Sequence, residues 1–371
     1  MKRKILVSVS NDLVSDQRVH KSCMSLLNQG WEVKLIGRKL PNSLSLPVRN
    51  YDCNRMRLWF KTGALFYAEL NIRLFFTLLF SQGDALHSND LDTLLANYLV
   101  SKIRRLPLVY DSHEYYTEVP ELVNRPRVQK IWKRIEKRIF PRLKHVFTVN
   151  DSIAELFEKE YGVQVQVLKN VPRLHDEFLV TNEPVFPGQK IILLQGAGIN
   201  IQRGAEELLE AMEFVREGIL LIVGSGDVVP LLKEKRIELG LEEKVHFFDK
   251  MPFEQLKNIT QQAYLGVSLD KATNINYEFS LPNKLFDYIH SEVPVLVSNL
   301  KELTKIVNEF KVGTVLSEHS PKAISQAIND LIQDEAQHAI YKQNCVNAKA
   351  ALNWENEEKK LISTYNSIFE K

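Results

Sequence analysis

Cysteine is scarce in this chain. Only Cys23, Cys53 and Cys345 occur, scattered and odd in number, so neither a disulfide framework nor a cysteine-based zinc site is implied. A reducing, cytoplasmic compartment fits. No cluster has metal-ligand spacing, and no metal is expected. Net charge is nearly absent too: 48 basic against 46 acidic side chains leave +2, and nucleic acid is not an expected partner. Long apolar runs are missing. Ile5 to Val9 is too short for a signal peptide and meets Ser10, Asn11 and Asp12 at once. Ala64 to Phe80 carries Glu69, Asn71 and Arg73 within its 17 residues, so no membrane-crossing helix is expected. Glycine is absent from the loop Ser10 to His20. A dinucleotide fingerprint needs glycine there for the backbone to approach a pyrophosphate, which argues against an NAD-binding domain at this end.

What is present is alternation. In 371 residues, short apolar runs are followed by amphipathic stretches, the pattern of an α/β fold with doubly wound parallel sheets. Strands are expected at Ile5–Val9, Trp31–Ile36, Ala85–Ser88, Leu108–Tyr110 and His145–Val149, with helices at Gln17–Asn28 and from Asn150-Asp151 to Tyr161. The run from Leu168 to Lys190 has a linker composition, with Pro172, Pro184, Pro187 and Gly188. A second series begins at Lys190–Gln195. The two halves differ in charge: residues 1–170 hold 27 basic against 17 acidic side chains, and residues 171–371 hold 21 against 29. The basic half suits an anionic partner or membrane surface. Eight basic residues between Arg127 and Lys144 face a single acid, Glu136, with apolar residues at helical spacing. That is an amphipathic helix on the sheet or a contact with anionic lipid. Leu58 to Phe80 reads as an interfacial helix or a core helix.

The most informative stretch is Ser280 to Ser298. Pro282 suits a helix start, and Asn283 and Lys284 sit in the first turn, where free N–H groups favour an anion. Asp287, one turn on, can accept hydroxyl hydrogen bonds. Gly196-Ala-Gly198 and Arg203-Gly204 precede a helix, and Arg203 is suited to gripping phosphate. Gly224-Ser-Gly226 forms a second such turn. In the first half, His113 and Glu114 lie just past a strand end, where ligands bind in such folds.

Taken together, Leu193-Leu-Gln-Gly-Ala-Gly198, Arg203-Gly204, Val223-Gly-Ser-Gly226, Val245-His-Phe-Phe and Ser280-Leu-Pro-Asn-Lys-Leu-Phe-Asp287-Tyr resemble glycosyltransferase family 4, the retaining group with the GT-B fold. Asp16-Gln-Arg18-Val-His20 and Tyr110-Asp-Ser-His113-Glu114 are similar to bacterial surface-polysaccharide members. The resemblance covers nearly the whole chain. It implies an acceptor domain over 1–170, a donor domain over 171–350, and a C-terminal helix over 351–371 that packs back toward the first domain. It further implies transfer of a hexose from a nucleotide-diphosphate sugar, with no cofactor, to a glycan or lipid-linked acceptor at the inner face of the cell membrane. The catalytic group would be His113, Arg203 and Glu278. Donor binding would use Gly198, Arg203, Gly224, Lys250, Met251, Leu281, Pro282, Asn283, Lys284 and Asp287, and the acceptor side Asp16, Arg18, His20 and Glu114. The first acid of the family's paired motif falls at Phe279, with Glu278 the nearest carboxylate. A soluble acceptor, or a non-catalytic nucleotide-sugar-binding role, are the alternatives.

Overall fold

The computed structural model describes residues 2–14, 16–41, 43, 45–174 and 183–370. Residues 175–182 of the linker stretch and Ser15 of the first loop lie outside the described residues. The chain divides into two compact units, residues 1–170 with 356–371, and residues 171–355.

The first unit contains β1 (Lys4–Asp12), α1 (Gln17–Asn28), β2 (Glu32–Lys39), β3 (Asp52–Arg57), α2 (Gly63–Phe80), β4 (Ala85–Asn89), α3 (Leu91–Arg104), β5 (Leu108–Ser112), α4 (Pro120–Val123), α5 (Pro126–Ile139), β6 (His145–Thr148), α6 (Asp151–Tyr161) and β7 (Gln166–Val167). All pairings are parallel, in the order β3-β2-β1-β4-β5-β6-β7. The order reverses between β1 and β4, the place where such sheets open a crevice at their carboxyl ends. Helix starts follow local chemistry. Asp16 accepts from Val19 N–H at 3.1 Å to cap α1, and Asn150 from Ile153 N–H at 2.9 Å to cap α6. Gly30, at φ +86°, lets the chain leave α1.

α2 requires a correction. At 18 residues and a mean hydropathy of 1.4, it is long and apolar enough to cross a membrane by length and composition alone. Its charges are internally matched: Arg73 pairs with Glu69 at 2.8 Å, and Glu69 also accepts from the Trp59 and Phe60 N–H groups. Phe66, Leu70, Leu74 and Leu78, one turn apart, are buried. Leu65, Ile72, Phe76 and Phe80 are exposed at 52% to 78%. α2 runs beside α3 in the same direction, since Asn71 Nδ2 donates to Asp92 O and Arg104 donates to Leu78 O.

The second unit contains β8 (Ile191–Gly196), α7 (Ala205–Ala211), β9 (Ile219–Gly224), α8 (Val229–Glu238), β10 (Val245–Phe248), α9 (Phe253–Gln261), β11 (Ala263–Ser268), α10 (Ile275–Glu278), α11 (Asn283–His290), β12 (Val295–Val297), α12 (Lys301–Phe310), β13 (Gly313–Val315), α13 (Pro321–Gln333) and α14 (Glu335–Ala351). The parallel order is β10-β9-β8-β11-β12-β13, with its reversal between β8 and β11. Strand residues alternate between two buried layers. Ile192, Leu194, Leu220 and Ile222 face one core, and Ile191, Leu193, Leu221 and Val223 the other, which is why these strands read as unbroken apolar runs. The last helix, α15 (Trp354–Phe369), belongs to the first unit from residue 356 onward. Its Tyr365 hydroxyl lies 3.0 Å from His87 Nδ1.

Candidate functional site

In the second unit the residues of interest gather at the carboxyl ends of β8 and β11. Glycine makes the gathering possible. A Cβ on Gly224, at φ +134°, would sit 1.8 Å from Gly196 O, and one on Gly204, at φ +76°, would sit 2.2 Å from Leu269 O. The loop before α7 is therefore pressed against the end of β11, and Arg203 is delivered to that edge. Gly198 carries no such demand, since its Cβ would meet only Asn200 Nδ2 at 3.7 Å. Arg203 Nε donates to Tyr277 Oη at 3.4 Å, its guanidinium lies 4.7 Å from the centre of that ring, and Nε is 3.7 Å from Asp270 Oδ1.

α11 supplies the anion seat. Pro282 is its N-cap residue, at φ −64°, and Leu285, Phe286, Tyr288 and Ile289 are its buried face. Tyr288 Oη donates to Leu193 O at 2.9 Å and accepts from Gln195 N–H at 3.2 Å, which fastens α11 to β8. Asn283 is exposed and Lys284 half-buried in the first turn. Burial drives Lys284 toward its neutral form, while Asp270 pulls it back toward the charged one. Asp287 accepts from Gln195 Nε2 at 3.4 Å, and Gln195 Oε1 in turn accepts from Thr260 Oγ1 at 2.7 Å. Asp287 also lines a cavity of about 60 Å³ with Arg173, Lys257, His290 and Lys349. Leu281 and Met251 both pack on the core beneath α11, while Lys250 is exposed.

Glu278 ends the single turn of α10 with its side chain exposed. The carboxylate beside Arg203 is Asp270, not Glu278. The turn sends Tyr277 inward and Glu278 outward. Asp270 was missed because nothing local marks it. Its position depends on the contact between Gly204 and Leu269.

In the first unit a second charged cluster sits at the carboxyl ends of β4 and β5. His113 Nδ1 lies 3.3 Å from Asp90 Oδ2, and its Nε2 lies 3.3 Å from Asp111 Oδ2. Asp90 Oδ1 also accepts from His113 N–H at 2.8 Å. Asp90 is held at φ +58° and ψ 165°, a costly conformation of a kind that clusters at functional sites. Burial alone would depress the His113 pKa, but the two carboxylates outweigh it and raise it to about 9. His113 is thus an imidazolium at neutral pH, able to donate hydrogen bonds but unfit as a general base. Burial likewise would raise Asp111, but Arg18 and His113 hold it far below the carboxylate range.

Arg18 is corrected. It is 3% exposed, donates to Asp111 through Nε at 3.0 Å and Nη2 at 2.7 Å, and to Leu168 O through Nη1 at 2.8 Å. With its fork turned inward it fastens α1 to β5 rather than facing an acceptor. Asp16 caps α1 and accepts from Asn11 Nδ2 at 3.4 Å. His20 Nδ1 lies 2.7 Å from Tyr51 Oη. Glu114 is half-buried, and its carbonyl accepts from Ser112 Oγ at 2.8 Å.

Comparison with known proteins gives these two clusters a context. The family model described as Glycosyl transferases group 1 matches residues 178–348, and the one described as Glycosyltransferase Family 4 matches residues 17–172. The D-inositol 3-phosphate glycosyltransferase of Corynebacterium urealyticum is 30% identical over 146 residues, which are 39% of this chain and 33% of that protein. The match thus spans only about a third of that relative's length. Among solved structures, sucrose-phosphate synthase from Thermosynechococcus elongatus has a TM-score of 0.79 at 18% identity, covering 100% of both chains. Anabaena Alr3699/HepE in complex with UDP and glucose has a TM-score of 0.74 at 14% identity, covering 98% of this chain and 100% of that one. At these identities the structural likeness concerns the fold. With the two family models matched one to each half of the sequence, the chain belongs to glycosyltransferase family 4 and has its GT-B fold of two Rossmann-like α/β domains.

Proposed function

We propose that this protein is a retaining, metal-independent hexosyltransferase. It moves a sugar from a nucleotide-diphosphate donor to a glycan or lipid-linked acceptor in cell-surface polysaccharide synthesis, at the cytoplasmic face of the membrane. The observation that carries the reading is Arg203 beside the buried Asp270 carboxylate at the end of β11, with Lys284 in the first turn of α11. Two cations and a helix N-terminus suit a diphosphate, and Asp287 one turn on suits a ribose hydroxyl. The UDP and UDP-glucose complexes of Alr3699/HepE support a nucleotide-sugar donor.

In the reaction, the bond between the anomeric carbon and the diphosphate oxygen breaks as negative charge gathers on the phosphate. Arg203, Lys284 and the α11 N–H groups stabilise that charge, the role of fixed donors and dipoles in transition states generally. The acceptor hydroxyl oxygen attacks from the same face, and its proton passes to the departing phosphate. His113, a cation whose two ring nitrogens face Asp90 and Asp111, adds positive charge at the strand ends where a sugar would sit. The exposed stripe of α2 and the basic helix α5 support peripheral contact with an anionic bilayer.

Incubation with labelled UDP- and GDP-hexoses and a crude lipid extract tests this reading. Transfer of label to lipid with the anomeric configuration retained is expected. No release from any donor would remove the enzymatic reading, and inversion would remove the retaining one.

A further inference from the structure

Asp270 has no counterpart among the motif residues. It is 1% exposed, and neither carboxylate oxygen has a hydrogen-bond partner among the described residues. A buried carboxylate left unsatisfied is costly, so its compensation comes from the charges around it. Arg203 Nε lies 3.7 Å from Oδ1, and Lys284 is held toward its charged form by the same carboxylate. The backbone on both sides is anchored. Leu269 O is met by His319 Nε2 at 2.7 Å and lies against Gly204, and Lys271 N–H donates to Gln202 O at 3.1 Å. Asp270 therefore cannot swing away from the two cations. The place of the first acid in the paired motif is meanwhile filled by Phe279, whose ring lies 5.8 Å from Lys301 Nζ.

We propose that Asp270 is a positioning residue of the donor site. Its buried carboxylate holds the Arg203 guanidinium in place and acts through space on Lys284 in the first turn of α11, supplying from the end of β11 an acidic group that the motif lacks at Phe279. The donor part of this inference rests on the function proposed above. The groups bearing on Lys284 are Asp270, which favours its charge, and Arg203, which opposes it along with burial. Tyr277 faces Arg203 from α10. Removing the Asp270 charge leaves only the opposing influences, so Lys284 loses its proton at lower pH.

Two measurements on the full chain test the assignment. In the first, proteins carrying 13C-labelled lysine are titrated by NMR, with the Lys284 signal assigned by Lys284→Met. The Lys284 titration is expected at lower pH in Asp270→Asn and close to wild type in Asp270→Glu. In the second, calorimetry follows UDP-hexose or GDP-hexose binding at pH 7 and pH 9. Asp270→Asn should lose severalfold more affinity than wild type over that interval, because Lys284 gives up its proton at lower pH in the variant. An unchanged Lys284 titration in Asp270→Asn overturns the proposal whatever the ligand. A shifted titration in a protein whose wild type binds no nucleotide sugar overturns the donor-site assignment and leaves the coupling standing.

Discussion

His113 shows how one side chain can be read only with its neighbours in place. Its position just past β5 marked it as a candidate, but its protonation is set by Asp90 and Asp111, which come from different strand ends. The consequence for stability has a definite sign. The folded pKa, about 9, lies above the ordinary histidine value of 6.5. The stabilisation from the charged imidazole is therefore complete below pH 6.5 and is lost as pH rises through 9. The difference corresponds to at most about 3 kcal/mol. His113→Gln should abolish most of the fall in urea-unfolding stability between pH 6.5 and 9.5; a parallel fall in wild type and variant would mean that His113 is not held as a cation. Arg18 gives the matching lesson. Its motif looked like ligand chemistry, but its partner Asp111 lies 93 residues away, and a pairing of that range leaves no local pattern.

The elements differed in how legible they were. Strands with both faces buried announce themselves as apolar runs, and α1, α6 and α11 carry caps or a proline at their starts. β3, Asp-Cys-Asn-Arg-Met-Arg, has neither signal, because an edge strand mostly half-buried or exposed needs no alternating pattern. α10 is a single turn, too short for an apolar period to announce it, and that turn decides which of Tyr277 and Glu278 faces Arg203. α2 was ambiguous by nature: every fourth residue serves the core, while Leu65, Ile72, Phe76 and Phe80 serve another surface. If that stripe meets lipid, Phe76→Ser with Phe80→Ser should weaken co-sedimentation with vesicles of phosphatidylglycerol and phosphatidylcholine about 10-fold or more, each phenyl ring being worth roughly 1.5–3 kcal/mol when fully buried. Thermal stability should change little, since neither ring is in the core. Undiminished sedimentation would remove α2 from the contact, and a large loss of stability would show the stripe to be structural.

Across the whole molecule, two α/β units of one architecture carry different charge and different clusters. The first is basic in sequence and builds an acidic strand-end cluster around an imidazolium. The second is acidic in sequence yet gathers Arg203 and Lys284 at its sheet's reversal point. The alternation of the elements and the α11 stretch were readable because their causes are local. Asp270, Arg18 and the protonation of His113 were not, because they depend on which loops the sheets bring together. In the proposed function, the second unit holds a nucleotide-diphosphate sugar with Arg203 on the diphosphate. Calorimetric titration of UDP- and GDP-hexoses into wild type and Arg203→Ala tests it most directly. One site is expected in the wild type for at least one donor, with affinity falling about 10- to 100-fold in the variant, since one charge-assisted phosphate interaction is worth roughly 1.5–3 kcal/mol. Equal affinity in a well-folded Arg203→Ala protein, or no binding by the wild type, would contradict it.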